Sequence, residues 1–279
     1  MDSSPGPKPH VTIQAGAPAF WNLAELWTDR EILLGMVWRD VSVRYKETVI
    51  GFLWVVLQPI LMMLILSTFF RQLGGPSVSD VPIHVRIFAS LLVWDFIASS
   101  VERAAVSLIA SAGVISKLYF CRLVLPLTPV GASAFDLCIK FLLLVILMAM
   151  HGIAPSVNVV FIPAVLLCTL VFTMSLCIWL AALTAFYKDV ALAIPFILRV
   201  SFFLSPIFYE AAQLVPVQYQ TWYHLNPVTA LIESFNFLLL GTDVFPAGGL
   251  IFAVVLSLVM LVTGLSFFRY VETSIVDVL

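Results

Sequence analysis

The chain has 279 residues, of which 62% are hydrophobic and 11% charged, with a formal net charge of −2. Soluble domains carry about 25% charged residues, so this apolar excess is too large for one core, and lipid replaces water as its solvent. The charge balance excludes a nucleic-acid surface, which needs a basic field.

The first segment, 1–19, is rich in Ser, Pro and Gly and lacks the apolar run of a cleaved signal peptide. It reads as a flexible cytoplasmic tail. Segment 20–47 carries a helical stripe in which Leu23, Trp27, Leu34, Val37, Val41 and Tyr45 fall three, four or seven apart. Thr28-Asp29-Arg30-Glu31 fits a capping box that starts a helix near Asp29. With Trp21, Trp27 and Trp38 beside basic residues, the spacing predicts an amphipathic helix in the cytoplasmic interface.

Residues 48–279 read as the membrane-spanning body. A bilayer core of about 30 Å needs roughly 20 apolar residues in a helix. Val49–Phe70, Val157–Tyr187 and Ala247–Phe268 meet that length without a charge inside the apolar run. Ile87–Ile109 contains Asp95, Glu102 and Arg103; Leu125–Met150 contains Asp136 and Lys140; Val190–Tyr209 contains Arg199 with Pro195 and Pro206. Six spans are expected. Val228–Leu240, after Asn226-Pro227, is too short to cross and predicts an outer re-entrant helical hairpin over about 211–243. The fold class is thus an all-α integral membrane protein.

Orientation follows from Lys and Arg. With the N-terminus inside, Lys8, Arg30, Arg39, Arg44, Lys46, Lys117, Arg122, Lys188 and Arg269 are cytoplasmic, and Arg71 and Arg86 are outside. That bias puts both termini in the cytoplasm.

No phosphate-binding loop, GxSxG, HExxH or dinucleotide turn occurs. Cys121, Cys138, Cys168 and Cys177 lack CxxC spacing and read as small apolar filler, and no pair of His10, His84, His151 and His224 has ligand spacing. Charges inside spans are costly unless paired or wet. Asp136 and Lys140, four apart, can neutralise each other on one helical face. Glu102 and Arg103 lie where long side chains snorkel to the cytoplasmic rim, and Asp95 and Arg199 have no local partner. Phe52, Trp54 and Gln58 in span one, and Phe196, Phe202, Phe203, Phe208 and Tyr209 in span five, suit a wet path for sugar, whose C–H faces stack on rings.

Several motifs occur in one order. Leu33–Pro59 contains Arg39-Asp40, Arg44-Tyr45-Lys46, Gly51, Leu53-Trp54 and Leu57-Gln58-Pro59. Ile115–Phe120 follows with Arg122 and Leu125-Pro126, then Phe186–Val190, Leu204–Ile207, Asn226-Pro227 and the tail FFRYVETSIVDVL. Over Leu23–Leu279 the chain resembles the membrane permease subunits of ABC-type polysaccharide exporters, which move lipid-linked O-antigen, capsule or teichoic-acid chains. It departs from them at Cys121, Leu123 and Lys188 (or Tyr187), where the family usually has Pro, Glu and Arg.

The resemblance implies an inner or plasma membrane homodimer with two copies of a separate ATPase, which binds the ATP and Mg; this chain itself binds no cofactor. It implies a channel lined by Phe52, Trp54, Gln58, Phe196, Phe202, Phe203 and Tyr209. It implies coupling to the ATPase through Arg39, Asp40, Ser116, Lys117, Tyr119 and Arg122, with Arg44 and Lys46 at the headgroup rim. The substrate implied is a lipid-linked polysaccharide. The rivals are an ABC-type exporter of a drug or small lipid, an ion-driven secondary transporter, and a membrane glycosyltransferase. The secondary transporter would show matched broken helices in two halves, and the glycosyltransferase would need paired acidic residues; neither pattern is visible.

Overall fold

In hydrocarbon a backbone N–H has no water to bond, so apolar runs close their hydrogen bonds within one helix. The computed structural model follows that rule: every element among its described residues (23–46, 53–73, 81–115, 120–209, 223, 225–242 and 245–278) is helical. In chain order these are α1 (Leu23–Thr28), α2 (Arg30–Lys46), α3 (Leu53–Leu73), α4 (Ile83–Ala110), α5 (Ala112–Ile115), α6 (Val124–Met150), a 3-10 turn (Val157–Phe161), α7 (Ile162–Phe186), α8 (Lys188–Leu204), α9 (Pro227–Leu240) and α10 (Ala247–Val278). The expected tail 1–19, Phe52, Ser116, Lys117 and Tyr119, and the first arm of the expected hairpin (210–222) lie outside the described residues.

Five helical stretches are long and apolar enough to cross a membrane: Leu53–Phe70, Ile83–Ala110, Val124–Met150, Val157–Phe186 and Ala247–Glu272. The segment expected as span five appears as the 17-residue α8, shorter than those five and carrying Pro195 inside the helix. The segment expected as an interface helix over 20–47 is divided at Asp29 into α1 and α2, and α2 begins at Arg30, beside the helix start expected near Asp29.

The bundle is built around α4, which packs against α3, α6, α7, α8 and α9. It is also the span with Asp95, Glu102 and Arg103. Being surrounded by protein takes it out of lipid, and most of its residues from Val85 to Leu108 are buried. Helices in lipid gain little from burying apolar surface against each other, so small residues and polar contacts decide which faces meet. Gly264 shows this: a Cβ there would stand 2.8 Å from Cδ1 of Trp179, so α10 approaches α7 only because the position is Gly. Trp179 Nε1 donates to Met260 O (3.0 Å) and its ring stacks on Phe267.

One end of the bundle is marked by His84 at the start of α4 and His151 just past α6, whose Nε2 atoms lie 2.8 Å apart. At that same end Ser156 N donates to Leu239 O (3.0 Å), holding the C-terminus of α9 beside the start of α7. The opposite end holds a second apolar cluster, in which Leu108, Phe120, Val124, Ile178, Ala185, Phe268 and Val271 pack with Leu26, Leu33 and Met36. The N-terminal helices and the last turns of α7 and α10 therefore share one face.

Helix α9 is closed at both ends by local chemistry. The Asn226 side chain accepts from Val228 N (3.1 Å), Pro227 opens the helix, and Gly241 ends it in the left-handed region (φ 70°). Its length is too short to cross, yet most of its side chains are buried. Asn236 Nδ2 donates to Ser90 Oγ of α4 at 2.8 Å.

Candidate functional site

The α2–α6 seam begins with a missing side chain. A Cβ on Gly131 would stand 2.7 Å from Cγ2 of Val37, so glycine lets α2 lie against α6 at that point. Contacts then advance in the same sense along both helices. Asp29 Oδ2 accepts from Cys121 N (2.8 Å), Val37 sits over Gly131, and Arg44 and Tyr45 reach Asp136. Asp136 lies twelve residues into α6, about 18 Å along the helix from Val124.

At that depth an ionised carboxylate needs partners, and α2 supplies two. Arg44 Nη1 donates to Asp136 Oδ2 at 2.6 Å, and the Tyr45 hydroxyl donates to Oδ1 at 2.6 Å. Arg44 Nη2 also donates to Ala132 O (3.3 Å), and its guanidinium lies 5.8 Å from the Tyr45 ring. Burial, then the Asp136 carboxylate, pushes the Tyr45 phenol well above the ordinary tyrosine range. It therefore stays protonated and remains a donor. Arg103 of α4 joins the group, donating to Ser99 O (3.0 Å) and, closely, to Ser133 Oγ.

Two sequence expectations about charges are corrected by this packing, those for Asp136–Lys140 and for Arg103. Asp136 and Lys140 do not pair with each other: Lys140 Nζ reaches Asp95 Oδ2 of α4 at 3.0 Å, which also gives Asp95 the partner it lacked locally. The reason is that α6 presents Asp136 to α2 and Lys140 to α4. Arg103 turns into the α4–α6 contact rather than toward the cytoplasmic rim, while Glu102 is exposed. The antiparallel packing of α4 and α6 likewise brings together His84 and His151, 67 residues apart.

Of the expected coupling residues, Arg39 is exposed and Asp40 half-buried, and the two side chains lie 3.5 Å apart on α2. Arg122 donates closely to Glu272 O on α10. Phe120 is buried in the apolar cluster beside it. The loop that joins the second and third spans, ahead of α6 (the 2–3 loop), thus touches α1–α2 through Cys121 and α10 through Arg122. Of the rim pair, Arg44 is turned inward onto Asp136, whereas Lys46 is exposed.

The expected channel residues divide by face. Trp54 and Gln58 on α3 and Phe196 and Phe203 on α8 are exposed. Phe202 is half-buried and edge-on to Trp94 of α4 (5.8 Å). Phe208 stacks on Phe70 (4.4 Å), and the Tyr209 hydroxyl meets that of Tyr223 at 2.8 Å. The apolar residues of α1 and α2 also split: Val41 of α2 is buried on the bundle side, while Trp27 of α1 and Leu34 and Trp38 of α2 are exposed.

Among the described residues no group of three or more His, Cys, Asp or Glu is placed to hold a metal ion. The cysteines are all free thiols. The Asp136 node was hidden from the sequence because its members come from three helices. Its one linear signal is a carboxylate in the middle of a span, which requires a partner from somewhere.

Residues 32–240 match the family described as ABC-2 type transporter. An O-antigen export system permease protein RfbA from Klebsiella pneumoniae is 25% identical over 265 residues, covering 93% of this chain and 98% of that protein. One from Myxococcus xanthus is 28% identical over 213 residues, covering 76% of this chain and 81% of the relative. With a family match over most of its length and a bundle of membrane-length helices, the chain belongs to the ABC-2 type transporter membrane family.

Proposed function

We propose that the chain is the transmembrane subunit of an ATP-driven exporter of a lipid-linked polysaccharide of the O-antigen type. The observation that carries the transport mechanism is the α2 connection. One end of α2 touches the 2–3 loop, and the other is ion-paired to the middle of α6. A push at the cytoplasmic end therefore reaches the bundle interior through packed helix and charge. A separate ATPase supplies it, pressing on Arg39, Asp40, Arg122 and the adjoining loop residues Ser116, Lys117 and Tyr119, and two copies of each subunit assemble. The glycan substrate is supported by the printed names of relatives aligned over most of this chain. The exposed rings on α3 and α8 suit it.

In this reading the chain sits in the cell inner membrane with both termini cytoplasmic. Parity supports six crossings: α1–α2 and the end of α10 share one face, and the five long spans alone would place them on opposite sides. The step from the inner end of α7 to the outer start of α10 makes α8 the sixth. The deep, buried α9, with its C-terminus at the outer end, serves as the returning arm of a re-entrant hairpin that gates the exit.

Deleting the gene is expected to leave carrier-linked polymer inside the cell, and this chain with its ATPase is expected to restore surface polymer. If the polymer still reaches the surface while a drug or small lipid accumulates, the small-molecule exporter takes its place.

A further inference from the structure

Helix α8 carries an arginine where a membrane helix tolerates one poorly. Leu192, Phe196, Arg199 and Phe203 are spaced four, three and four apart, which puts them on one face, and all are exposed. Ile194 and Phe202, on the other side, face α4 and the bundle.

Two measures put Arg199 near mid-depth. It is eleven residues from Lys188, about 16 Å along α8. Its neighbour Phe202 is level with Trp94, eleven residues and about 16 Å from the outer end of α4. From there the side chain is too far from either rim to snorkel.

Arg199 forms no ion pair or hydrogen bond with any described residue. The carboxylates Asp95 of α4 and Asp136 of α6 are committed, the first to Lys140 and the second to Arg44 and Tyr45. A guanidinium left facing lipid at this depth is strongly disfavoured. The α8 face therefore borders water rather than hydrocarbon.

We propose that Arg199 stands in the aqueous translocation path and binds the anionic group of the passing substrate, a phosphate or a carboxylate. This rests on the export reading above and deepens it by naming a chemical class. A guanidinium offers two parallel donors to such a group. Phe196 and Phe203, one turn to either side, present rings to the adjoining sugar faces. The stripe thus reads an anion flanked by sugar, as found in a sugar pyrophosphate carrier or an acidic glycan.

The test uses the full chain with its ATPase in membrane vesicles, with the four native cysteines replaced by Ala. In Arg199→Cys, a charged, water-borne methanethiosulfonate is expected to react at least ten-fold faster than in Leu258→Cys on α10; equal rates overturn the proposal. In Phe203→Cys with Arg199 intact, an anion is expected to slow modification at least five-fold, and Arg199→Gln is expected to abolish that protection. Protection by farnesyl diphosphate but not farnesol assigns the carrier phosphate. Protection by oligogalacturonate but not a neutral oligosaccharide assigns an acidic sugar. No protection by either anion overturns the proposal. Restoration of export by Arg199→Glu with Glu102→Arg, where each alone fails, also overturns it in favour of a pair with a second copy of the chain. These thiol readouts do not depend on which polymer the cell exports, so failure of the export reading is seen separately, in the deletion strain.

Discussion

Arg44, near the end of α2, and Asp136, twelve residues into α6, are joined by an ion pair of 2.6 Å. The pair ties a helix outside the spans to the middle of one. Arg44 is about one-third exposed and Asp136 mostly buried, so solvent weakens the attraction without removing it. Loss of either partner leaves the other charge poorly compensated. We expect Arg44→Ala and Asp136→Ala each to destabilise the purified protein by about 2 kcal/mol. The exchanged pair Arg44→Asp with Asp136→Arg is expected to recover part of that loss. Thermal unfolding in detergent checks this, and fully additive single effects would show that the two are uncoupled.

Tyr45 gives that node a pH signature. Its phenol is held above the ordinary range in the folded protein by burial and by Asp136. A raised folded pKa adds stability that is fully present below the unfolded value of about 10 and is lost as pH rises beyond it. The wild type is therefore expected to lose stability above about pH 10 more steeply than Tyr45→Phe, while the two run parallel at neutral pH. Identical slopes for both proteins in alkaline unfolding curves would contradict a phenol held high by burial and by Asp136.

The approach of α2 to α6 depends on Gly131. Because a Cβ there meets Val37 at 2.7 Å, Gly131→Val is expected to unseat α2 and to reduce ATPase coupling at least several-fold while the spans still insert. Val37→Ala removes the opposing methyl groups and is expected to restore coupling in the double variant. Measuring ATPase stimulation in the assembled complex tests the pair, and failure of the second change to rescue would point to damage elsewhere.

The ends of the bundle make opposite accessibility predictions. His84 and His151 meet at one end, and Tyr187, just past α7, is exposed at the other. In a chain with its four cysteines removed, cysteines placed at 84 and 151 are expected to react with an impermeant maleimide added outside intact cells. One at 187 is expected to react only after the membrane is opened. The reverse pattern would invert the proposed orientation.

Much of the helical layout was legible because lipid imposes a simple rule. The expected Leu125–Met150 appears as Val124–Met150, and the expected short helix Val228–Leu240 appears as Pro227–Leu240. A boundary differs where local chemistry competes, since Asn226 caps α9 one residue earlier, while the helix start expected near Asp29 appears at Arg30. Which face each aromatic side chain takes was not legible: Trp54, Phe196 and Phe203 are exposed, whereas Phe202, of the same ring type, packs edge-on to Trp94.

The sequence by itself determined an all-helical membrane chain and marked the charges that needed explanation. Apolar run length and the need to close backbone hydrogen bonds depend only on local order along the chain. The charge partners were decided by tertiary structure alone. Arg44 and Asp136 are 92 residues apart, and Lys140 lies closer in sequence to Asp136 than to Asp95, which it contacts. Which carboxylate a cation finds depends on the faces that α2, α4 and α6 turn to one another. Those faces are set by side chains as small as the missing one at Gly131, a contact with no trace in linear spacing.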